Sequence, residues 1–183
     1  MHSVRAYHKA IAMLHGHDFG KARLYHLGMT DEISGAYSEK PDRLLKMIKR
    51  ITRKLNHIGV KYRWRACFEH DLTKSHHMHV FFLVEDTSEA KNPDEIFNTT
   101  PTNWLRKTFD KHVMGFSINK PKNSIHWTSK GKQKNYALIS TPEKLDDCKH
   151  WISYLVKKRS KLEVGQVYFS SKDSIKKGIK NDD

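Results

Sequence analysis

The amino-acid sequence predicts an α+β fold: a central antiparallel sheet with flanking helices. Residues 42–59, DRLLKMIKRITRKLNHIG, place apolar residues at helical spacing. Residues 60–70 and 76–85 instead alternate with period two across a short polar turn, the pattern of a β-hairpin. Along the chain the order is helix, strand, helix, hairpin, helix, strands, helix, which suits one antiparallel sheet covered by helices.

Taken in order, residues 2–16 carry Val4, Ile11 and Leu14 at roughly helical spacing and predict a first helix. KARLYHLGMT (21–30) reads as a strand closed by the polar turn TDEISGAYSEKPD. In 42–59 the stripe is Leu44, Leu45, Ile48, Ile51 and Leu55, and Gly59 is the stop. In VKYRWRACFEH (60–70), Val60, Tyr62, Trp64, Ala66 and Phe68 share one face, and Lys61, Arg63, Arg65, Cys67 and Glu69 the other. In the partner strand, Met78, Val80, Phe82 and Val84 oppose His77, His79, Phe81 and Leu83. The hairpin is thus expected to have one apolar face and one bearing charge and imidazoles. Residues 92–115 are helical after Thr102. Strands follow around SIHWTS (124–129) and NYALIST (135–141), and Thr141 with Pro142 caps a helix over 142–161. The charged tail from Lys172 is expected to fray.

The chain has 183 residues, 37% of them hydrophobic, enough for one packed domain. No apolar run approaches the roughly 18 residues that span a bilayer, so no membrane partner is expected. The N-terminal residues lack the apolar core and cleavage site of a secretory signal. Two cysteines form no disulfide framework, so a reducing cytoplasm is the expected compartment. A net charge of +14 points to a polyanionic partner, with nucleic acid the leading class.

Within this chain the stretch SHHMHVFFLVE (75–85) stands out. His77 and His79 flank Met78 and project from one face of a strand, so both can face one ion. Imidazoles suit several divalent metals, and an added carboxylate favours harder ions such as Mg²⁺ or Mn²⁺. Glu69 lies on the polar face of the preceding strand, an even number of residues before His77, compatible with a shared face across the hairpin. His70 competes for that place only if a bulge intervenes. The bland alternative is a set of polar residues at the open end of a strand pair.

The last predicted helix contains WISYLVKK, with Tyr154 and Lys157 three apart and Lys158 one turn beyond Tyr154. A phenol ionises near pH 10 and is a poor nucleophile at neutrality, but a neighbouring ammonium favours the phenolate. A nucleophilic oxygen, a Lewis-acid site and a basic surface together fit attack on a phosphodiester. Packing is the ordinary role of a tyrosine in an amphipathic helix.

In combination, Glu69, HMH (77–79) and YLVK (154–157) resemble the HUH endonucleases, single-strand nickases that include rolling-circle replication initiators, relaxases and some transposases. The similarity is nearest to the initiators of filamentous phages and related small replicons, and extends loosely over residues 20–160. It implies a ferredoxin-like palm in an endonuclease domain over 20–161, preceded by a helical segment (1–19) and followed by a basic tail (162–183). It also implies that Tyr154 attacks a phosphate of single-stranded or origin DNA, that Lys157 stabilises developing charge, and that His77, His79 and Glu69 hold Mg²⁺ or Mn²⁺. Some phage initiators carry two tyrosines on this helix; here Tyr154 stands alone. No phosphate-binding loop of the GxxxxGK[ST] type occurs in these residues, so the resemblance implies a host helicase and polymerase as partners, in a bacterial cytoplasm.

Candidate DNA contacts are Lys61, Arg63 and Arg65, which share the parity of Glu69, with Lys130, Lys132 and Lys134 in the SKGKQK turn and Lys158 after the tyrosine. The rival from another class is a non-catalytic basic nucleic-acid-binding protein with structural histidines. A histidine-dependent nucleotide hydrolase of the HIT type would need a third alternating histidine where Phe81 stands.

Overall fold

The structure, a computed structural model, describes residues 4–16, 18–33, 36–37, 40–69, 76–87, 93–98, 100–119, 135–156 and 167–171. Its elements are α1 (Val4–His15), β1 (Ala22–Ile33), β2 (Ala36–Tyr37), α2 (Asp42–His57), β3 (Tyr62–Glu69), β4 (His77–Glu85), α3 (Trp104–Lys111), β5 (Met114–Asn119), β6 (Tyr136–Ile139), α4 (Pro142–Ile152) and β7 (Val167–Ser170). A 3₁₀ turn, Ser153–Val156, continues directly from α4.

An α+β architecture results, built on a six-stranded antiparallel sheet. β1 is central: β4 pairs along one edge, while β5 and β6 share the other, β5 against Asp31 to His26 and β6 against Tyr25 to Ala22. β3 lies outside β4, and β7 outside β3. The two-residue β2 folds back on the end of β1, which continues through Thr30 to Ile33, where the sequence reading expects a turn.

Alternation along β1 sends Tyr25, Leu27 and Met29 to one face and Ala22, Leu24, His26, Gly28 and Thr30 to the other. The first face meets α2 and α3. Helix α2 buries Leu44, Met47, Ile48, Ile51 and Leu55 against Phe68, Met78, Val80 and Phe82. Each such side chain contributes about 1.5–3 kcal/mol on burial. Gly59, at φ 70°, turns the chain out of α2 in the left-handed region that favours glycine. Asn103 starts α3, its side chain accepting from the Leu105 amide at 2.8 Å.

On the second face, α1 contributes Ala10, Met13 and Leu14, and α4 contributes Cys148 and Ile152, with Leu155 just beyond. These cover Leu24, Cys67, Phe81 and Leu83. The face expected to bear charge is therefore largely enclosed, and Arg65 is only 6% exposed. The cause is a second helical layer, which strand parity does not reveal. α1, from the segment 1–19, and β7, from the segment 162–183, both pack into this sheet, so the core extends beyond residues 20–161 on either side.

The strand expected at 124–129 lies outside the described residues. β5 overlaps the end of the expected helical segment at residues 114–115 and continues over 116–119, to which the sequence reading assigns no element. Of the helix expected over 142–161, Pro142–Ile152 is α-helical and Ser153–Val156 is 3₁₀, while residues 157–161 lie outside the described residues. Among the described residues no helix is long and apolar enough to cross a membrane.

Candidate metal centre

The strand register brings the site together. Glu69, last in β3, stands opposite His77, first in β4; Cys67 stands opposite His79. On the β1 side, Thr30 faces His77 and Gly28 faces His79. Hairpin pairing and period-two alternation thus deliver Glu69, His77 and His79 to one face at one end of the sheet.

Their donor atoms all lie within 4.8 Å of one another. Glu69 Oε2 is 3.5 Å from His77 Nε2, and the two histidine rings are nearly perpendicular at 4.9 Å between centroids. The carboxylate is mostly buried, its side chain 9% exposed, whereas that of His77 is 23% exposed, leaving the cluster a solvent-facing side. Two imidazoles and a carboxylate on rigid strands suit a divalent ion of the first transition row or Mg²⁺. The cluster could hold a metal ion, and the ligand set expected from the sequence is the one the fold assembles.

A third histidine, missed by the sequence reading, completes the neighbourhood. His26 of β1 is 4% exposed, and its Nε2 lies 3.0 Å from Nδ1 of His79. Its other ring contacts fix it firmly: it stacks on Phe81 (centroids 4.2 Å, 10° between planes) and meets the edge of Trp151 at 5.7 Å. The Asn119 amide group lies 3.3 Å from His26 Nδ1. Burial, then the neighbouring His79, holds the His26 pKa well below the usual histidine range, so the ring is neutral. The signal was parity: His26 sits on the same β1 face as Leu24 and Gly28, but only the register with β4 shows what it meets. Phe81, where a HIT-type hydrolase would need a histidine, is fully buried under that ring.

Tyr154 lies in the 3₁₀ turn, three residues after Trp151. The side chains of Ile152 and Leu155 anchor this segment in the core, and Ser153 Oγ donates to the His150 carbonyl at 2.6 Å. Lys157 and Lys158 lie outside the described residues, as do His70 and the lysines at 130, 132 and 134.

Of the candidate DNA contacts in this hairpin, Arg63 and Arg65 lie on β3 and Lys61 immediately precedes it. Lys61, Arg63 and Arg65 precede Glu69 by eight, six and four residues, or roughly 26, 20 and 13 Å along a strand. Lys61 is exposed and 3.6 Å from Asp18 Oδ2. Arg65 is enclosed, its guanidinium 5.8 Å from the Tyr168 ring centroid, and burial lowers its pKa.

Comparison of the chain with protein-family models, curated proteins and solved structures finds no match.

Proposed function

We propose that the chain is a metal-dependent single-stranded DNA nickase and strand transferase of the HUH type, with a ferredoxin-like palm, acting in initiation of rolling-circle replication. The observation that carries this reading is the Glu69–His77–His79 donor cluster. Supporting it, the segment leading to Tyr154 packs on the same sheet face, through Trp151 and His26. The net charge of +14 suits the polyanionic substrate.

In this reading the Tyr154 phenolate oxygen forms a bond to the scissile phosphorus while the bond from phosphorus to the 3′ oxygen breaks. The leaving oxygen keeps the electron pair, takes a proton and becomes a 3′-OH that primes synthesis. The 5′ phosphate stays esterified to Tyr154 until a 3′-OH reverses the exchange. Mg²⁺ or Mn²⁺ held by His77, His79 and Glu69 would supply a Lewis acid that polarises the phosphate. Lys157 would favour the phenolate and offset charge on the phosphate oxygens. Lys61, Arg63 and the lysines at 130, 132, 134 and 158 serve as contacts along the strand; a host helicase and polymerase do the unwinding and copying.

The test is scission of labelled single-stranded DNA pools, hairpins included, with Mn²⁺. The expected result is nicking that yields polymerase-extendable 3′ ends and is lost with chelator, in His77→Ala and in Tyr154→Phe. Tight binding with no scission of any pool would replace the nickase with a non-catalytic binding protein.

A further inference from the structure

We infer that His26 is a positioning residue for the metal centre: it holds His79 in the tautomer that carries hydrogen on Nδ1 and so turns Nε2 to the ion. The inference rests on the Glu69–His77–His79 metal-site reading and deepens it.

A histidine that ligates a metal uses the lone pair of one ring nitrogen, and the other nitrogen then carries hydrogen and needs an acceptor. In this fold Nδ1 of His79 already has its partner, Nε2 of His26, at 3.0 Å. At that distance one hydrogen lies between Nε2 of His26 and Nδ1 of His79, and two arrangements are open. If His26 donates, His79 Nδ1 accepts, its hydrogen sits on Nε2, and that nitrogen cannot ligate. If His79 donates from Nδ1, Nε2 has its lone pair available for an ion. The second arrangement requires His26 to carry its own hydrogen on Nδ1; the Asn119 amide nitrogen lies 3.3 Å from that atom and 3.4 Å from Nε2. Rotating that amide by half a turn presents its oxygen, which accepts the hydrogen; the two amide ends are interchangeable in shape. The relay is then consistent throughout: Asn119 accepts from His26, and His26 accepts from His79.

The ring is built to stay in place. Stacking on Phe81 and the edge contact with Trp151 remove its rotational freedom. At Gly28, opposite His79, a Cβ would stand 2.8 Å from Ser117 Oγ, closer than real Cβ contacts allow, so glycine fits the space between β1 and β5 beside the relay. Because Trp151 precedes Tyr154 by three residues, His26 also touches the segment that carries the proposed nucleophile.

Two measurements test this. Long-range ¹H–¹⁵N correlation on metal-free wild-type protein reads the His79 tautomer directly. An exposed neutral histidine favours hydrogen on Nε2; the expected result here is hydrogen on Nδ1, and finding it on Nε2 overturns the inference. The second is Mn²⁺ affinity by titration calorimetry. His26→Phe keeps the aromatic stacking without an acceptor and should weaken Mn²⁺ binding about 10–100-fold. His26→Gln, whose amide oxygen can accept, should retain most of the affinity. If His26→Phe binds Mn²⁺ as tightly as wild type, His26 has no positioning role although the metal site stands. If wild type binds no Mn²⁺, or His77→Ala binds as well as wild type, the metal-site reading itself fails. The tautomer measurement needs no variant, so a His26→Phe protein that does not fold leaves the inference testable.

Discussion

Glu69 of β3 stands directly opposite His77 of β4, and their side chains approach to 3.5 Å. All three proposed metal donors therefore come from two adjacent paired strands, with none contributed by a loop. A site held by strand register is preorganised, and the apolar cores on both sheet faces exist without it.

Metal removal should leave the fold intact. Far-UV circular dichroism should be unchanged by chelator, while Mn²⁺ raises the melting temperature of wild type. At 100 times the dissociation constant the expected gain is about 2.7 kcal/mol. His77→Ala should fold normally and show no gain; an equal gain in that variant would mean that the ion binds elsewhere.

The core facing α2 and α3 should be sensitive to truncation at Phe97. Its ring is fully buried, stacked on Tyr25 at 4.3 Å and packed against Phe82 at 5.3 Å. Phe97→Ala should lower unfolding free energy by about 3–5 kcal/mol in urea denaturation. A loss under 1 kcal/mol would show that this ring cluster does not support the sheet.

Val113, between α3 and β5, has φ 53° and is 75% exposed. A β-branched residue is strained there, and its side chain buries little in return. Val113→Gly should stabilise the protein by about 1 kcal/mol, read as a higher denaturation midpoint with unchanged slope. Destabilisation would mean that Val113 makes contacts outweighing the strain.

Stability should fall in alkali. Burial pushes the Cys148 thiol from 9.0 up to about 12, and burial, then Asp94, raises the Tyr25 phenol well above its ordinary value. The unfolded chain releases these protons first, so the stabilisation is complete below pH 9 and diminishes as pH rises from 9 towards 12. Cys148→Ala should flatten part of that decline in denaturation measured between pH 9 and 11. A decline identical to wild type would remove Cys148 from the explanation.

Much of this molecule was legible because local periodicity matched the final packing. The stripe from Leu44 to Leu55 with Gly59 as stop specified α2, and Thr141 followed by Pro142 marked the start of α4, where Thr141 Oγ1 accepts from the Lys144 amide. Alternation and an even spacing placed Glu69 with His77 and His79. What escaped depends on distant partners. β7 has four residues and is a strand because it lies along β3, roughly a hundred residues earlier in the chain. β5 follows α3 after two residues, so the helical pattern ran into it. Arg65 looked solvated because parity distinguishes two faces without saying which a helix will cover. His26 looked ordinary because its importance lies in meeting His79, 53 residues away.

The most direct measurement is the mass of the DNA-linked peptide after protein, single-stranded DNA and Mn²⁺ are incubated, quenched and digested. The account predicts a 5′-phosphonucleotide on the peptide containing Tyr154, absent with chelator and in Tyr154→Phe. Cleaved DNA with no covalent peptide, or a link to another residue, would contradict it.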